Sequence, residues 1–201
     1  MSTGVAMRHW RSASDSSACG LELLEAQPSP ETLAATLDAA HGSVHARNAA
    51  FLLLCMAPTD RASVEMTLEI AAAFSSNTRV YLSIDRSTLS RIGSKRLDTK
   101  RVGLLLDDVD ADTPPSDIVH EAIEAVRFRA DFIRKARGQL RLRCTLDSTL
   151  FLAHNLGIAT LGPTESAIEE LDVYGVQFDW TSSASSENDE IRSSRARARH
   201  A

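Results

Sequence analysis

Three features of the sequence predict an α/β fold with a parallel sheet. Apolar runs of strand length recur along the chain, helical patterns fill the gaps between them, and this alternation repeats about six times. Such alternation is typical of a parallel sheet covered by helices. We expect a trimmed or imperfect TIM-like β/α barrel, because 201 residues are fewer than the roughly 250 of a regular barrel. An open parallel α/β sheet is the alternative.

The predicted strands are short runs of apolar, β-branched and aromatic residues. The run AFLLLCM, at 50–56, is almost continuously apolar and is followed closely by Pro58. This profile is typical of a strand buried on both faces. The predicted strands lie at 50–56, 79–84, 101–106, 125–128, 157–161 and 176–180.

The predicted helices show apolar residues at helical spacing. Val64, Leu68 and Ala71 share one face of a helix near 63–74. Ser116 is a candidate N-cap for a helix over 117–125, with Ile118, Val119, Ala122 and Ile123 as its apolar stripe. Further helices are expected to begin at Ser29–Pro30 and at Thr164, and one lined by Leu146, Leu150 and Ala153 is expected to end near Gly157.

Composition divides the chain into three parts. Residues 1–20 are rich in serine and are interpreted as a loose N-terminal segment, and 21–180 form the β/α domain. From 181 to 201 the chain turns to Ser, Arg, Glu and Asn without apolar periodicity, which predicts a disordered tail.

The bulk charge and the cysteines exclude several classes of protein. A net charge of −5 gives no overall attraction to nucleic acid or anionic membranes, and no apolar run is long enough to cross a bilayer. The three cysteines are far apart and show no CxxC spacing, which favours reduced thiols in a cytoplasmic protein.

The stretch VGLLLDDVDAD at 102–112 is the first candidate site. Its aspartates do not form a calcium loop, because Thr113 and Val119 occupy the positions that need Gly and Glu. A Mg²⁺ site at a strand end needs oxygen ligands from other segments, and only Asp85 ends another predicted strand with a carboxylate. A solvated acidic loop, followed by a helix that Ser116 or Asp117 caps, is an equally good interpretation.

The order of motifs from this stretch onward resembles the EAL-type cyclic di-GMP phosphodiesterase domain. Asp107-Asp108-Val109-Asp110 stands where that family has Asp-Asp-Phe-Gly. Arg127-Phe128-Arg129 stands in place of Lys-x-Asp, shortly before Phe132-Ile133. Leu156-Gly157-Ile158 matches the Leu-Gly-Ile segment before the last helix. The resemblance extends from about residue 5 to about residue 180 and rests mainly on order and spacing.

The resemblance implies hydrolysis by metal ions held by carboxylates and an amide, but most ligand positions are changed. The positions of the metal ligands are occupied by Val5, Cys55, Ser83, Arg86 and Thr160, and Arg127 replaces the lysine. In this alignment Val5 to Trp10 match the Glu-Ala-Leu signature, so the first barrel strand would precede the chain. We therefore expect no catalytic residue, no metal and no cofactor.

The remaining charged residues are interpreted as a vestigial active-site rim. We expect Arg127 and Arg129 to form ion pairs with Asp107 and Asp108, which would relieve the repulsion between adjacent carboxylates. The vestigial rim comprises Asp107, Asp108, Asp110, Arg127 and Arg129.

Three functions compete. The first is a catalytically inactive EAL-like regulatory domain that acts by protein–protein binding in bacterial signalling. The second is a receptor that binds cyclic di-GMP without cleaving it, with Arg127 and Arg129 on its phosphates. The third is a small α/β enzyme of unrelated chemistry that uses Asp107 and Asp108 with His120 or His154.

A basic segment supplies the candidate partner surface. Residues 127–143 contain seven arginines and lysines against Asp131 alone, an asymmetry on an acidic chain. The candidate partner patch comprises Arg134, Lys135, Arg137 and Arg141. A protein partner is expected, whereas nucleic acid is disfavoured because the aromatic residues of this segment have the character of core residues. The arginines of the tail offer a second, less favoured basic arm.

Overall fold

Eight strands form a closed barrel. The computed structural model describes residues 7–12, 14, 19–23, 33–35, 37, 49–55, 61–74, 78–92, 102–162 and 178–182. The strands are β1 (Met7–Ser12), β2 (Cys19–Leu23), β3 (Ala49–Cys55), β4 (Arg79–Ile84), β5 (Val102–Val109), β6 (Ile123–Phe128), β7 (Ala159–Gly162) and β8 (Trp180–Ser182). The helices are α1 (Arg61–Phe74), α2 (Arg86–Ile92), α3 (Pro115–Ile118), α4 (Ala130–Ala136) and α5 (Leu140–Asn155). No helix in these described ranges has the length and apolar character needed to cross a bilayer.

The strands follow one another around the barrel in chain order. From β2 to β8 every neighbouring pair is parallel, whereas β1 is antiparallel to both β2 and β8. Closure excludes the open sheet and confirms the prediction of a TIM-like barrel.

The first two strands were not predicted. The expectation that the first barrel strand precedes the chain is wrong, because β1 occupies Met7–Ser12. Its sequence MRHWRS is largely polar, and among the described side chains from Arg8 to Ser12 only that of Trp10 is fully buried. The barrel thus uses part of the segment 1–20, which composition had suggested to be loose. At the other end β8 begins at Trp180, where the predicted last strand ended.

The core has an inner and an outer layer. Inward-facing side chains fill the barrel, and a larger apolar cluster lies between the strands and the helices. Phe51 occupies the inner layer, with its ring centroid 4.8 Å from that of Trp180 and 5.6 Å from that of Tyr81. The inner layer comprises Trp10, Phe51, Leu53, Leu105, Ala125 and Leu161.

Two helices agree with the predicted apolar faces. Val64, Leu68 and Ala71 are buried in α1, and α5 buries Leu146, Leu150 and Ala153 before Gly157 adopts a φ of +69°. The predicted helix starts at Ser29–Pro30 and Thr164 lie outside the described residues.

The predicted helix over 117–125 is wrong. Helix α3 covers only Pro115–Ile118, its N-cap is Pro114 rather than Ser116, and Ile123 already belongs to β6. Ile123 pairs with Leu104 of β5, so the ladder that closes the barrel overrides the local helical periodicity.

We predict that Gly20→Ala destabilises the fold by about 1–3 kcal/mol. A Cβ at residue 20 would lie 2.2 Å from the Phe51 ring, and that ring is held by Tyr81 and Trp180. Gly138→Ala is the matched control, because a Cβ there meets nothing within 4 Å. Urea denaturation of the two variants measures the difference, and equal midpoints would contradict the packing described for Phe51.

Candidate functional site

Five strands bring polar side chains to the carboxyl end of the barrel. Neighbouring side chains alternate between the two faces of a strand, so residues two positions apart point the same way. Cys55, Asp107 and Arg127 each lie two positions beyond an inner-layer residue of the same strand. They therefore point into the mouth of the barrel. The cluster at this mouth comprises Glu22 of β2, Cys55 of β3, Ser83 of β4, Asp107 of β5 and Arg127 of β6.

The guanidinium of Arg127 lies at the centre of this mouth cluster. Its Nε donates to Asp107 Oδ1 at 2.7 Å, and its Nη2 donates to the other oxygen of the same carboxylate. Its Nη1 donates to Glu22 Oε1 at 2.5 Å, and Nη2 lies 3.7 Å from Cys55 Sγ. One planar cation thus joins two carboxylates that stand 85 residues apart in the chain.

Glu22 is a buried carboxylate with donors on both oxygens. It is 2% exposed. Besides Arg127, its Oε1 accepts the Cys55 thiol at 2.9 Å. Its Oε2 accepts Arg8 Nη1 at 3.1 Å and Trp10 Nε1 at 3.2 Å. The cost of burying this charge is therefore offset by a full set of hydrogen bonds.

The mouth cluster shifts the protonation of its members. Burial raises the pKa of the Asp107 carboxyl, but the hydrogen bonds and charge of Arg127, with the Ser83 hydroxyl and the Asp108 amide, outweigh it and hold that pKa below its usual value. Burial lowers the pKa of the Arg127 guanidinium, yet Asp107 and Glu22 raise it further than burial lowers it. Asp107 and Arg127 are consequently charged across the working pH range.

Burial and the neighbouring charge of Glu22 raise the pKa of the Cys55 thiol to about 12, with Arg127 opposing them. A thiol with such a pKa remains protonated at neutral pH, so Cys55 acts as a hydrogen-bond donor to Glu22 rather than as a nucleophile or a thiolate ligand.

The remaining charged residues of the predicted rim lie farther out. Arg129 is half-exposed and pairs with Asp110 at 3.3 Å. Asp108 is exposed, adopts a positive φ of 57°, and forms no ion pair with another described residue. The expected pairing of the arginines with Asp107 and Asp108 is therefore found for Asp107, while Asp110 takes the second arginine.

Glu22 was missed by the sequence reasoning, which had assigned the position of the signature glutamate to Val5. Val5 lies outside the described residues, whereas Glu22 on β2 reaches the mouth of the barrel. The signal was present, because Glu22-Leu23-Leu24 follows the Glu-x-Leu spacing of that signature. An isolated carboxylate within an apolar strand is unusual enough to have marked the position.

Two other residues that were aligned with metal ligands of the family, Arg86 and Thr160, lie outside the mouth cluster. Arg86 lies on α2 and bonds to Asp117 at 2.9 Å. The buried hydroxyl of Thr160 donates to Asp179 at 2.9 Å and lies 3.2 Å from the His154 ring. On β7 it is Leu161 that faces the interior, level with Arg127, so that strand contributes an apolar side chain instead of a carboxylate.

Neither candidate histidine lies near Asp107. His120 precedes β6 and His154 precedes β7, so both stand at the amino ends of parallel strands. Asp107 and Asp108 stand at the carboxyl end of β5. The residues of the third hypothesis therefore lie at opposite ends of the barrel. Neither histidine is placed to act as an acid–base partner of Asp107 or Asp108.

The basic segment 127–143 is partly neutralised. Arg127 points into the barrel, while Arg129, Arg134 and Arg143 pair with Asp110, Asp131 and Asp147. Lys135 and Arg141 are exposed on α4 and α5. The candidate patch therefore carries less uncompensated charge than the sequence count indicated.

The mouth cluster does not fit the divalent cations that the resemblance implies. Both oxygens of Glu22 and of Asp107 already accept hydrogen bonds, and a guanidinium stands between the two carboxylates. Within the described ranges no three His, Cys, Asp or Glu side chains are grouped to hold a metal ion. Cys55, Ser83 and Leu161 supply no further carboxylate or amide oxygens.

Solved structures similar to this chain are EAL domains. Neither a protein-family model nor a curated protein sequence matches the chain. The FimX EAL domain from Pseudomonas aeruginosa, bound to c-di-GMP, has a TM-score of 0.60 at 12% identity over 89% of this chain and 87% of that one. The EAL domain of Mycobacterium smegmatis DcpA has 0.59 at 15% identity, covering 91% and 90%. A standalone EAL protein from Vibrio cholerae O395, also bound to c-di-GMP, has 0.57 at 12% identity, covering 91% of each. The chain therefore has the EAL-type fold.

We predict that Arg127→Met destabilises the protein by about 3 kcal/mol at about pH 7, because buried Glu22 and partly buried Asp107 lose their shared cation. In the wild type the pKa of Asp107 is depressed, so its stabilisation is present above the unfolded pKa of about 3.9 and is lost only as the pH falls below it. In the variant unopposed burial raises the pKa of the Asp107 carboxyl, so the deficit shrinks between about pH 7 and about pH 5.

Denaturant unfolding at the two pH values measures this deficit. Arg129→Met is the matched control, since its half-exposed pair with Asp110 contributes about 0–1 kcal/mol. A deficit for Arg127→Met that is equally small, or one that grows on acidification, would contradict the role given to Arg127.

We also predict that Cys144 is modified by a thiol-disulfide reagent at neutral pH while Cys55 is not. Cys144 is exposed, whereas the pKa of the Cys55 thiol is about 12. Mass mapping of the labelled peptides in native and urea-unfolded protein separates the sites. Labelling of Cys55 in the native protein at the rate of Cys144 would show that the thiol is neither protonated nor enclosed.

Proposed function

We propose that this chain is a catalytically inactive EAL-like regulatory domain that acts by protein–protein binding in the cytoplasm of bacteria. The observation that carries the proposal is the position of the Arg127 guanidinium between Glu22 and Asp107. A fixed internal cation occupies the centre of the barrel mouth, where the resembled enzymes need metal ions.

A guanidinium cannot replace a metal ion in hydrolysis. Bound divalent cations lower the pKa of water and stabilise charge on phosphoryl oxygens, and both roles need an open coordination position. Arg127 has its donors directed at protein carboxylates, and its raised pKa prevents it from releasing a proton as a lysine can. The mouth cluster is thereby a stabilising network without a reactive group.

Loss of chemistry with retention of the barrel favours a binding role. The eight strands and both core layers are intact, so the surface of the domain keeps a defined shape. Arg134 and Lys135 on α4 and Arg141 on α5 are exposed. Together with Arg137, the candidate partner patch offers cationic side chains to an acidic protein surface.

A non-hydrolysing receptor for cyclic di-GMP is the second candidate. Two structures of similar fold contain this ligand, which supports testing it. Electrostatics disfavours it, because carboxylates outnumber guanidinium groups among the described residues in the mouth cluster and in the segments next to it, and the ligand carries two phosphates. The carboxylates are Glu22, Asp85, Asp107, Asp108, Asp110, Asp112 and Asp117, and the guanidinium groups are Arg8, Arg86, Arg127 and Arg129.

We predict no turnover of cyclic di-GMP by the purified chain with Mg²⁺ or Mn²⁺. Chromatography of the products against a metal-free control measures turnover, and calorimetric titration of the dinucleotide measures binding. Turnover above the control would contradict the proposal that the chain is inactive. Saturable binding without turnover would favour the second candidate, a non-hydrolysing receptor for cyclic di-GMP.

A companion variant tests the role of the guanidinium directly. In Arg127→Ala the carboxylates of Glu22 and Asp107 lose their cation, so Mn²⁺ or Zn²⁺ should raise the melting temperature of this variant but not that of the wild type. Arg129→Ala is the control and should respond like the wild type. An equal response of all three proteins would show that Arg127 does not occupy a cation position.

We predict that charge reversal at Arg134, Lys135 and Arg137 lowers the capture of a partner at least about tenfold, because these side chains lie together on α4 and just beyond it. Arg91→Glu on α2 is the control for a basic residue outside the patch. Affinity capture from a bacterial lysate, with quantitative mass spectrometry, compares the variants. Unchanged capture by the triple variant would discard the patch.

A further inference from the structure

A partly enclosed cavity of about 270 Å³ lies beside the barrel mouth. The loop after β5, with Asp110 and Asp112, lines one side of it, and helix α4, with Asp131 and Lys135, lines the other. None of the described residues of the mouth cluster lines it. A water molecule takes up about 30 Å³ in the liquid, so the cavity has room for a molecule of about nine non-hydrogen atoms. We call it the α4 cavity.

The two sides of the α4 cavity are fixed to each other by the chain itself. Asp110 Oδ1 accepts the Asp112 amide at 3.0 Å and the Thr113 hydroxyl at 3.2 Å, which holds the loop after β5. Arg129, which precedes α4, donates from Nη1 to Asp110 Oδ2 at 3.3 Å and from its amide to the Val109 carbonyl at 3.0 Å. A ligand therefore enters a preformed site and does not have to order these segments.

The inner surface of the α4 cavity is apolar. Phe132 of α4 is 5% exposed and belongs to the outer core layer. Leu142 of α5 and Ala111 of the loop are partly buried against the same layer, and all three residues line the cavity. A ligand with an apolar group of matching size removes this surface from water, which favours binding.

Two opposite charges in the α4 cavity remain without partners. The arginine and the aspartate nearest the mouth pair with each other, and Asp131 pairs with Arg134 of the same helix at 2.7 Å. Asp112 and Lys135 form no ion pair and no side-chain hydrogen bond with any residue in the part of the chain that the structure describes. The cavity therefore offers one carboxylate from the loop and one ammonium group from α4.

The charges of the α4 cavity disfavour two simpler ligand classes. A phosphate-like anion would face three carboxylates and two cationic side chains, a balance that repels it. A divalent cation needs several grouped oxygen ligands, and the described residues contain no such group of three acidic, histidine or cysteine side chains. A molecule with one carboxylate, one ammonium group and one apolar group matches Lys135, Asp112 and the apolar surface together.

We propose that the α4 cavity binds a free apolar α-amino acid. The carboxylate of the ligand lies on Lys135, its ammonium group lies on Asp112, and its side chain packs on Phe132 and Leu142. About nine non-hydrogen atoms, the capacity of the cavity, is the size of leucine. The proposal rests on this cavity alone and not on the absence of catalysis at the mouth.

Calorimetric titration of the full chain with L-leucine tests the site. Saturable binding is expected, with a dissociation constant between about 10 μM and about 1 mM, because so small a ligand makes few contacts. Leucinamide lacks the carboxylate, N-acetyl-L-leucine lacks the ammonium group and glycine lacks the apolar side chain. Each of these should bind at least about tenfold more weakly than L-leucine.

Charge-removing variants assign each end of the ligand to a side chain. Lys135→Met and Asp112→Asn should each weaken L-leucine binding at least about tenfold. Lys135→Met should also lose the preference for L-leucine over leucinamide, and Asp112→Asn the preference over N-acetyl-L-leucine, because each pair of changes removes the two partners of one contact. Arg91→Met and Glu121→Gln are matched controls, since both residues are exposed outside the cavity. They should bind L-leucine like the wild type.

Three outcomes overturn the proposal. The first is the absence of saturable binding for L-leucine, L-valine, L-methionine and L-phenylalanine alike. The second is equal binding of L-leucine and either blocked derivative by the wild type, and the third is unchanged L-leucine binding in Lys135→Met or Asp112→Asn. Melting temperatures close to that of the wild type confirm that the variants are folded. The titration measures neither cyclic di-GMP turnover nor partner capture, so its failure is distinguishable from a failure of the proposed function.

Discussion

The ion pair network of Arg127 with Glu22 and Asp107 is the interaction on which the mouth of the barrel depends. Two carboxylates of this low exposure repel each other and lose hydration, so they need a cation at close range. The guanidinium supplies one with a planar set of donors that reaches both groups at once. The hydroxyl of Ser83 and the thiol of Cys55 add a second donor to Asp107 Oδ2 and to Glu22 Oε1. The guanidinium of Arg8 and the indole of Trp10 donate to the remaining oxygen, Glu22 Oε2.

This network is built from segments that are distant in the chain. Glu22 and Arg127 are 105 residues apart, and each lies near the carboxyl end of its own strand. Parallel strands in a closed barrel bring such ends together, whereas the apolar inner layer beneath them holds the strands in register. The charged mouth cluster and the apolar interior are therefore two levels of one period-two pattern.

Several elements were predictable because their signals are local. The apolar runs of β3 to β6 and the buried faces of α1 and α5 follow directly from periodicity. The elements that were wrongly predicted have weak or conflicting local signals. Strand β1 is largely polar and places Trp10 in the inner layer, and residues 119–123 have a helical stripe although Ile123 is required as a strand partner of Leu104.

The sequence by itself determined the alternation of strands and helices. Only the tertiary structure decided that the barrel closes. It also decided that Glu22 on the second strand brings a carboxylate to the mouth, in the role that the alignment had given to the position of Val5. Finally, it decided that Arg127 pairs with Asp107 while Arg129 pairs with Asp110. The physical reason is that hydrophobic periodicity acts over a few residues of one element. The partner of a buried charge is instead fixed by strand order and register, which bring together residues that no local pattern connects.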